Sequence, residues 1–257
     1  MIAIPGKRFD VGAVNIVRGT AEGITTKRSQ YFSPTAGHLP PRGAGARFGL
    51  ALATGRFDRG PDADLIVGAP YANSVAYQDG AVHALFGSAQ GVRLADSQYL
   101  SPADPAFASP QPGAVHFGIA LGKGDFNGDG RLDLAIGQDE YREGIPCQAC
   151  QGDRCTGGGV YIIYSAPSGL EGARSAYLTQ DTPGMAGDGS QLCDSFGSAV
   201  VVESRTPNIK QIEVTPTSDQ PSLGGYPGNR ADFGSRGCQP RSVVEEACLK
   251  RVRGRRP

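Results

Sequence analysis

The sequence predicts an all-β fold built from a repeated unit of four antiparallel strands. Phe48-Gly49, Phe117-Gly118 and Phe196-Gly197, each followed by small apolar residues, lie 69 and 79 residues apart. A second pattern, Gly12-Ala13-Val14, Gly80-Ala81-Val82 and Gly159-Val160-Tyr161, keeps step with the first, and each copy leads to a turn glycine, Gly23, Gly91 or Gly169. A third, Ser29-Gln30-Tyr31, Ser97-Gln98-Tyr99 and Ser175-Ala176-Tyr177, follows in the same order. Patterns that share one period mark a repeat architecture. No segment of the repeat region carries a sustained 3.6-residue apolar pattern of helical length.

Within one period four short segments have strand character: Phe48–Thr54, Asp64–Gly68, Ala81–Phe86 and Ser97–Leu100. Each is rich in β-branched, Leu or aromatic residues and is bounded by Gly, Pro, Asp or Ser. Four strands per period without an intervening helix are the sequence form of a β-propeller blade. A β-sandwich would need no fixed period. The expected organisation is a partial blade over 1–47, complete repeats over 48–116 and 117–195, the start of a further blade at 196–202, and an irregular, disordered tail over 203–257. Propellers have about four to eight blades, so about three blades form an incomplete ring. The chain reads as a piece of a larger propeller, with unpaired blade edges available for self-association.

Composition supports a folded, turn-rich chain. The 257 residues include 38 Gly and 19 Pro, yet 39% are hydrophobic and only 19% charged, which excludes the signature of a disordered protein. The net charge of zero hides an asymmetry: residues 1–204 hold 15 Lys and Arg against 20 Asp and Glu, and residues 205–257 hold 10 against 5. The basic tail has only Tyr226 and Phe233 as aromatics, which reads as a solvated segment and gives no expectation of nucleic-acid binding. No run approaches the roughly 18 apolar residues of a membrane span.

One loop carries recognisable chemistry. In Asp125-Phe-Asn127-Gly-Asp129-Gly130-Arg131-Leu-Asp133, oxygen side chains fall at positions 1, 3, 5 and 9, a glycine at 6 permits a sharp turn, and Arg131 at 7 offers its backbone carbonyl. Such a set suits a hard cation, and calcium is expected. Position 12, where an EF-hand has Glu, is Ile136, and the flanks read as strands, so the expected element is a calcium-binding β-hairpin loop. In the preceding repeat, Arg56 and Gly60 replace positions 1 and 5, so that copy should be metal-free.

Taken together, the Phe-Gly element, the DxNxDGxxD loop, Leu65-Ile-Val-Gly68-Ala69-Pro70 or Leu134-Ala-Ile-Gly137, and the following Gly-Ala-Val strand resemble the FG-GAP repeat. The resemblance covers about residues 2–202. It implies an integrin-α-like propeller with structural calcium loops on one face. The opposite face, made by the loops joining second to third strands (Ala69–Asp79, Gln138–Gly158) and one blade to the next (Ser101–His116, Gln180–Ser195), would take a protein or glycan partner.

Cys147, Cys150 and Cys155 fall in the long second-to-third loop, and Cys193 follows in the next interblade loop. Four cysteines on one face favour disulfides in an oxidising compartment, and a four-thiolate zinc site is the rival reading. The pairing does not follow from the sequence. The chain has three histidines, His38, His83 and His116, and no HExxH, GxSxG or Walker A pattern. His83 lies in a strand pattern and His116 abuts a Phe-Gly element, which marks both as structural. The expectation is a non-catalytic, calcium-binding, extracellular adhesion module. The alternative is the propeller portion of a larger secreted hydrolase of the glycosylphosphatidylinositol phospholipase D kind.

Overall fold

The computed structural model describes residues 2–3, 11–34, 39, 45–73, 78–107, 115–139, 158–185, 195–206 and 209–215. Thirteen strands run in chain order through these residues: β1 (Ile2–Ala3), β2 (Val14–Thr20), β3 (Gly23–Phe32), β4 (Leu52–Gly55), β5 (Asp64–Ala69), β6 (Ala81–Leu85), β7 (Gln98–Leu100), β8 (Ala120–Gly124), β9 (Asp133–Gln138), β10 (Gly159–Ala166), β11 (Gly169–Leu178), β12 (Ala199–Thr206) and β13 (Ile209–Thr215). No α-helix occurs among the described residues, and none is long and apolar enough to cross a membrane.

The strands form two complete four-stranded meanders, β4-β5-β6-β7 and β8-β9-β10-β11, preceded by β1-β2-β3 and followed by the β12-β13 hairpin. Every pairing between neighbouring strands is antiparallel. These are blades of the expected kind. The inner strands β4, β8 and β12 lie beside one another in that order.

The core lies between blades. On β5, Leu65 and Val67 pack with Val14, Phe32 and Phe48 toward the preceding blade, while Ile66 packs with Leu134, Ile136 and Tyr161 of the next. That alternation follows from the two-residue period of a strand. Both faces of β5 and β9 are covered, so Asp64–Ala69 and Asp133–Gln138 are buried throughout and read as short continuous apolar runs. A third cluster joins Ala135, Val160, Ile162 and Phe196.

The Phe-Gly element is the hinge between blades. Phe48, Phe117 and Phe196 form isolated parallel bridges to Gly12, Gly80 and Gly158 at the head of the preceding blade's third strand. Phe48 and Phe117 are fully buried. Gly118 has φ of +91°, and a Cβ there would stand 2.8 Å from Val82 Cγ2 and 2.9 Å from the Ala81 carbonyl oxygen, which accounts for glycine after the aromatic ring.

Three expectations shift. Phe48–Ala51 is a turn rather than strand, because the Leu50 N–H bonds the Arg47 carbonyl at 3.0 Å and Gly49 takes a positive φ, so β4 begins at Leu52. The third copy of the Gly-Ala-Val pattern aligns on Gly158, one residue earlier than Gly159, as its bridge to Phe196 shows. Strand structure continues past Val202. β12 runs to Thr206 and pairs with β13, whose sequence Ile209-Lys-Gln-Ile-Glu-Val-Thr215 is rich in β-branched residues. Residues 216–257 lie outside the described residues.

Candidate functional site

Each complete blade has two ends. The loops between first and second strands and the hairpin turns between third and fourth strands lie at one end. The loops between second and third strands and the interblade connections lie at the other.

At the first end, β8 and β9 deliver the loop Asp125–Asp133. Asp133 opens β9 and is fully buried. Its Oδ2 accepts the Phe126 N–H at 2.8 Å and its Oδ1 accepts the Ser165 N–H at 2.9 Å, so one carboxylate ties its own loop to the next hairpin. Burial pushes its pKa above the usual carboxylate range, against the lowering effect of these two donors. The remaining side chains are engaged within the loop. Asp125 accepts from the Gly128 N–H at 2.7 Å and the Gly130 N–H at 3.2 Å, and Asn127 Oδ1 accepts from the Asp129 N–H at 2.9 Å. Asp129 accepts the Arg131 N–H at 2.9 Å and pairs with the Arg131 guanidinium at 2.6 Å. The Arg131 N–H, an amide hydrogen bond from Asn127 and the Arg131 charge hold Asp129 below its ordinary pKa.

The donor set, three carboxylates and an amide oxygen with a backbone carbonyl at Arg131, suits a hard divalent cation in kind. Each carboxylate has about four lone-pair sites, so the bonds described leave acceptor capacity. The side chains are turned toward the loop's own N–H groups rather than toward one point. Among the described residues, no group of three His, Cys, Asp or Glu is gathered as for a metal ion.

The preceding repeat separates two roles. Asp64, at the place of Asp133, accepts the Phe57 N–H at 2.7 Å and the Gly87 N–H at 2.9 Å. Arg56 and Gly60 stand where Asp125 and Asp129 would be, yet the tie is intact. The last aspartate of the loop is therefore a folding device in its own right.

At the opposite end, four side chains that the motifs did not single out form a row. Arg47 Cζ lies 4.3 Å from the centre of the Tyr71 ring, Tyr71 stacks on His116 with centroids 4.3 Å apart, and His116 Nδ1 lies 2.7 Å from Asp139 Oδ1. Arg47 and His116 immediately precede their Phe-Gly elements, and both have positive φ, 49° and 44°. A left-handed non-glycine residue costs about 1–2 kcal/mol. Packing around Phe48 and Phe117 holds the backbone there. His116 is buried, as is His83, which is wedged between Phe48 and Tyr99 with centroids 5.3 and 5.2 Å away. His38, Cys147, Cys150, Cys155 and Cys193 lie outside the described residues.

A second feature escaped the motif reading although its residues lie inside a motif. Gln30 Nε2 donates to the Val92 carbonyl at 2.9 Å, and its Oε1 accepts the Val92 N–H at 2.9 Å. Gln98 makes the same pair with Leu170, at 3.2 and 2.9 Å. Each side-chain amide thus stitches the outer strand of one blade to the hairpin of the next, directly after the turn glycine. The repetition of Ser-Gln-Tyr was the available signal.

Residues 117–163 match the FG-GAP repeat family. Phosphatidylinositol-glycan-specific phospholipase D of Rattus norvegicus is 31% identical over 125 residues, which make up 48% of this chain and 14% of that protein. Integrin alpha pat-2 of Caenorhabditis elegans is 32% identical over 132 residues, 51% of this chain and 10% of that one. The chain therefore spans between a tenth and a seventh of the length of these relatives.

Proposed function

We propose that this chain, whose residues 117–163 match the FG-GAP repeat family and which is similar over half its length to an integrin α chain, forms a calcium-stabilised, non-catalytic binding module of an extracellular protein. The reading rests on one coincidence: the segment that matches the family is also the one whose first loop carries oxygen donors at Asp125, Asn127, Asp129 and Asp133 and a backbone carbonyl at Arg131. A bound calcium ion would supply positive charge that neutralises the three carboxylates of the loop. Asp125, Asn127, Asp129 and Asp133 would hold the ion through side-chain oxygens and Arg131 through its carbonyl, while Asp133 also keeps the loop pinned to β10. A protein or glycan partner would meet the other end of the blades, where Arg47, Tyr71, His116 and Asp139 stand. The extracellular setting is inferred from the similarity to an integrin α chain.

The test is thermal unfolding of the protein with calcium raised to millimolar concentration and, separately, with a chelator. Extracellular calcium modules bind at roughly 10⁻⁴–10⁻³ M. The melting temperature should rise with calcium in the wild type and stay constant in Asp129→Ala. Equal melting of the wild type under both conditions would remove the metal from the proposal.

The similarity to the rat phospholipase favours a second reading, in which the blades belong to a longer hydrolase and the reaction is carried by another region of that protein. The buried positions of His83 and His116 fit a non-catalytic role for the blades under either reading.

A further inference from the structure

The junction between the first two sets of strands holds a cavity of about 290 Å³ that opens to solvent at the end bearing the calcium-type loops. Its walls include Arg18 and Arg28 from one blade, and Asp62, Ser88 and Gly91 from the next.

The repeat itself shows that this cavity is not a necessary gap in the fold. Counting from the bridge glycines, Gly12 and Gly80, Arg18 occupies the place that Phe86 takes one repeat later. Phe86 is buried, and its ring comes within 2.8 Å of where a Cβ on Gly169 would stand, so an apolar side chain seals the corresponding point of the next junction. The glutamine stitch is the same at both junctions. What differs is the lining: a guanidinium replaces a phenyl ring, and Arg28 stands where the next repeat has Asp96.

Backbone geometry turns Arg28 out of the regular ladder. Between the pairs Ile16↔Gln30 and Arg18↔Thr25 the register of β2 and β3 slips, leaving residues 26–29 as a bulge opposite Val17, and Arg28 has φ of 55°. Bulges re-aim side chains. A non-glycine residue with positive φ is an uncommon conformation. Arg18 donates one bond, from Nη2 to the Gln90 carbonyl at 3.1 Å, which steadies the guanidinium and leaves other N–H groups available.

We propose that this cavity binds an oxyanion, a carboxylate, phosphate or sulfate group of a ligand, between the Arg18 and Arg28 guanidiniums. A planar guanidinium presents paired N–H groups that match the oxygens of such a group. Asp62 on the facing wall sets a selectivity limit, because it repels a second negative charge. The site is distinct from the calcium loop and requires no metal.

The test is isothermal titration of the full chain with inorganic sulfate, inorganic phosphate and acetate, in calcium-free buffer at fixed ionic strength balanced with chloride. Saturable one-to-one binding of at least one of these anions is expected, and the anion that binds tightest identifies the headgroup. Arg18→Phe, which installs the next repeat's residue, and Arg28→Asn, which tolerates the left-handed backbone, should each weaken binding about tenfold or more. Asp62→Asn should tighten it, and provides a readout in the opposite direction that no unfolding defect can mimic. Heats no larger than those of a chloride titration, or the same affinity in all three variants as in the wild type, would overturn the site.

Discussion

Asp64 and Asp133 occupy the same place in successive repeats and make the same two hydrogen bonds, to the second residue of their own loop and to the strand end of the next hairpin. Only Asp133 belongs to a loop with oxygen donors at positions 1, 3 and 5. The pair therefore divides what a single loop would confuse, the role of an aspartate that builds a blade and the role of one that would hold an ion.

Asp64→Ala should destabilise the protein by about 2–4 kcal/mol, since it leaves two buried N–H groups without their acceptor. Chemical denaturation should give the same loss with calcium and with chelator. Asp133→Ala should show a comparable loss in chelator and, in addition, a diminished response to calcium. An Asp64→Ala protein whose loss depended on calcium would contradict the division of roles.

Arg131 offers a second handle on the loop. Its guanidinium pairs with Oδ2 of Asp129, one of the side chains proposed to hold the cation. Arg131→Gln should remove this competitor and keep the backbone carbonyl, so the calcium midpoint in a thermal-shift titration should move to lower concentration. A midpoint shifted upward would show that the guanidinium assists binding instead.

His83 predicts how stability depends on acidity. Burial lowers its pKa from 6.5 to about 3, so the unfolded chain takes up a proton that the folded chain refuses. Stability contributed by this group is present above pH 6.5 and is lost as pH falls toward 3, with a limiting slope of about 1.4 kcal/mol per pH unit. Asp64 and Asp133, whose pKa values are raised by burial, act with the opposite sign above pH 3.8: the folded state holds their protons more tightly, and stability falls as pH rises from there. His83→Tyr, which copies Tyr161 of the next blade, should flatten the urea-denaturation profile between pH 6.5 and 4. A slope unchanged by that substitution would assign the acid sensitivity elsewhere.

The glutamine stitches are predicted to be worth about 1–3 kcal/mol each, as paired and partly buried hydrogen bonds to backbone. Gln98→Ala should lower the unfolding free energy obtained from urea denaturation by that amount. Gln98→Glu should be worse, because the carboxylate cannot donate to the Leu170 carbonyl.

The strands were legible because period, punctuation and β-rich runs all agreed: Asp64–Gly68 and Ala81–Phe86 differ from β5 and β6 by one residue. The limits appeared where a residue's role depends on a neighbour distant in sequence. Gln30 and Val92 are 62 residues apart, and no local rule pairs them. Phe48 looked like the first residue of a strand because aromatics favour sheets, but the Leu50 N–H bond to the Arg47 carbonyl and the positive φ of Gly49 place it in a turn that makes only an isolated bridge to Gly12. The alignment on Gly159 failed because it sits in a run of three glycines, 157–159; the 11-residue spacing to the turn glycine, shared by Gly12 and Gly80, picks out Gly158, as the bridge to Phe196 does. The loop donors were readable from spacing alone. Their present engagement with backbone N–H groups, and the Arg131 pairing, depend on rotamers that spacing does not encode.

A module that held a partner would be pulled as well as bound. When traction separates two blades, the Gln30 and Gln98 amides are loaded as parallel pairs of hydrogen bonds that must break together, which resists force better than bonds broken in succession. In the third blade the same strand position is Ala176, whose methyl group has no bond to offer. Under tension, the first two junctions would act as clamps of a kind that Ala176 cannot form.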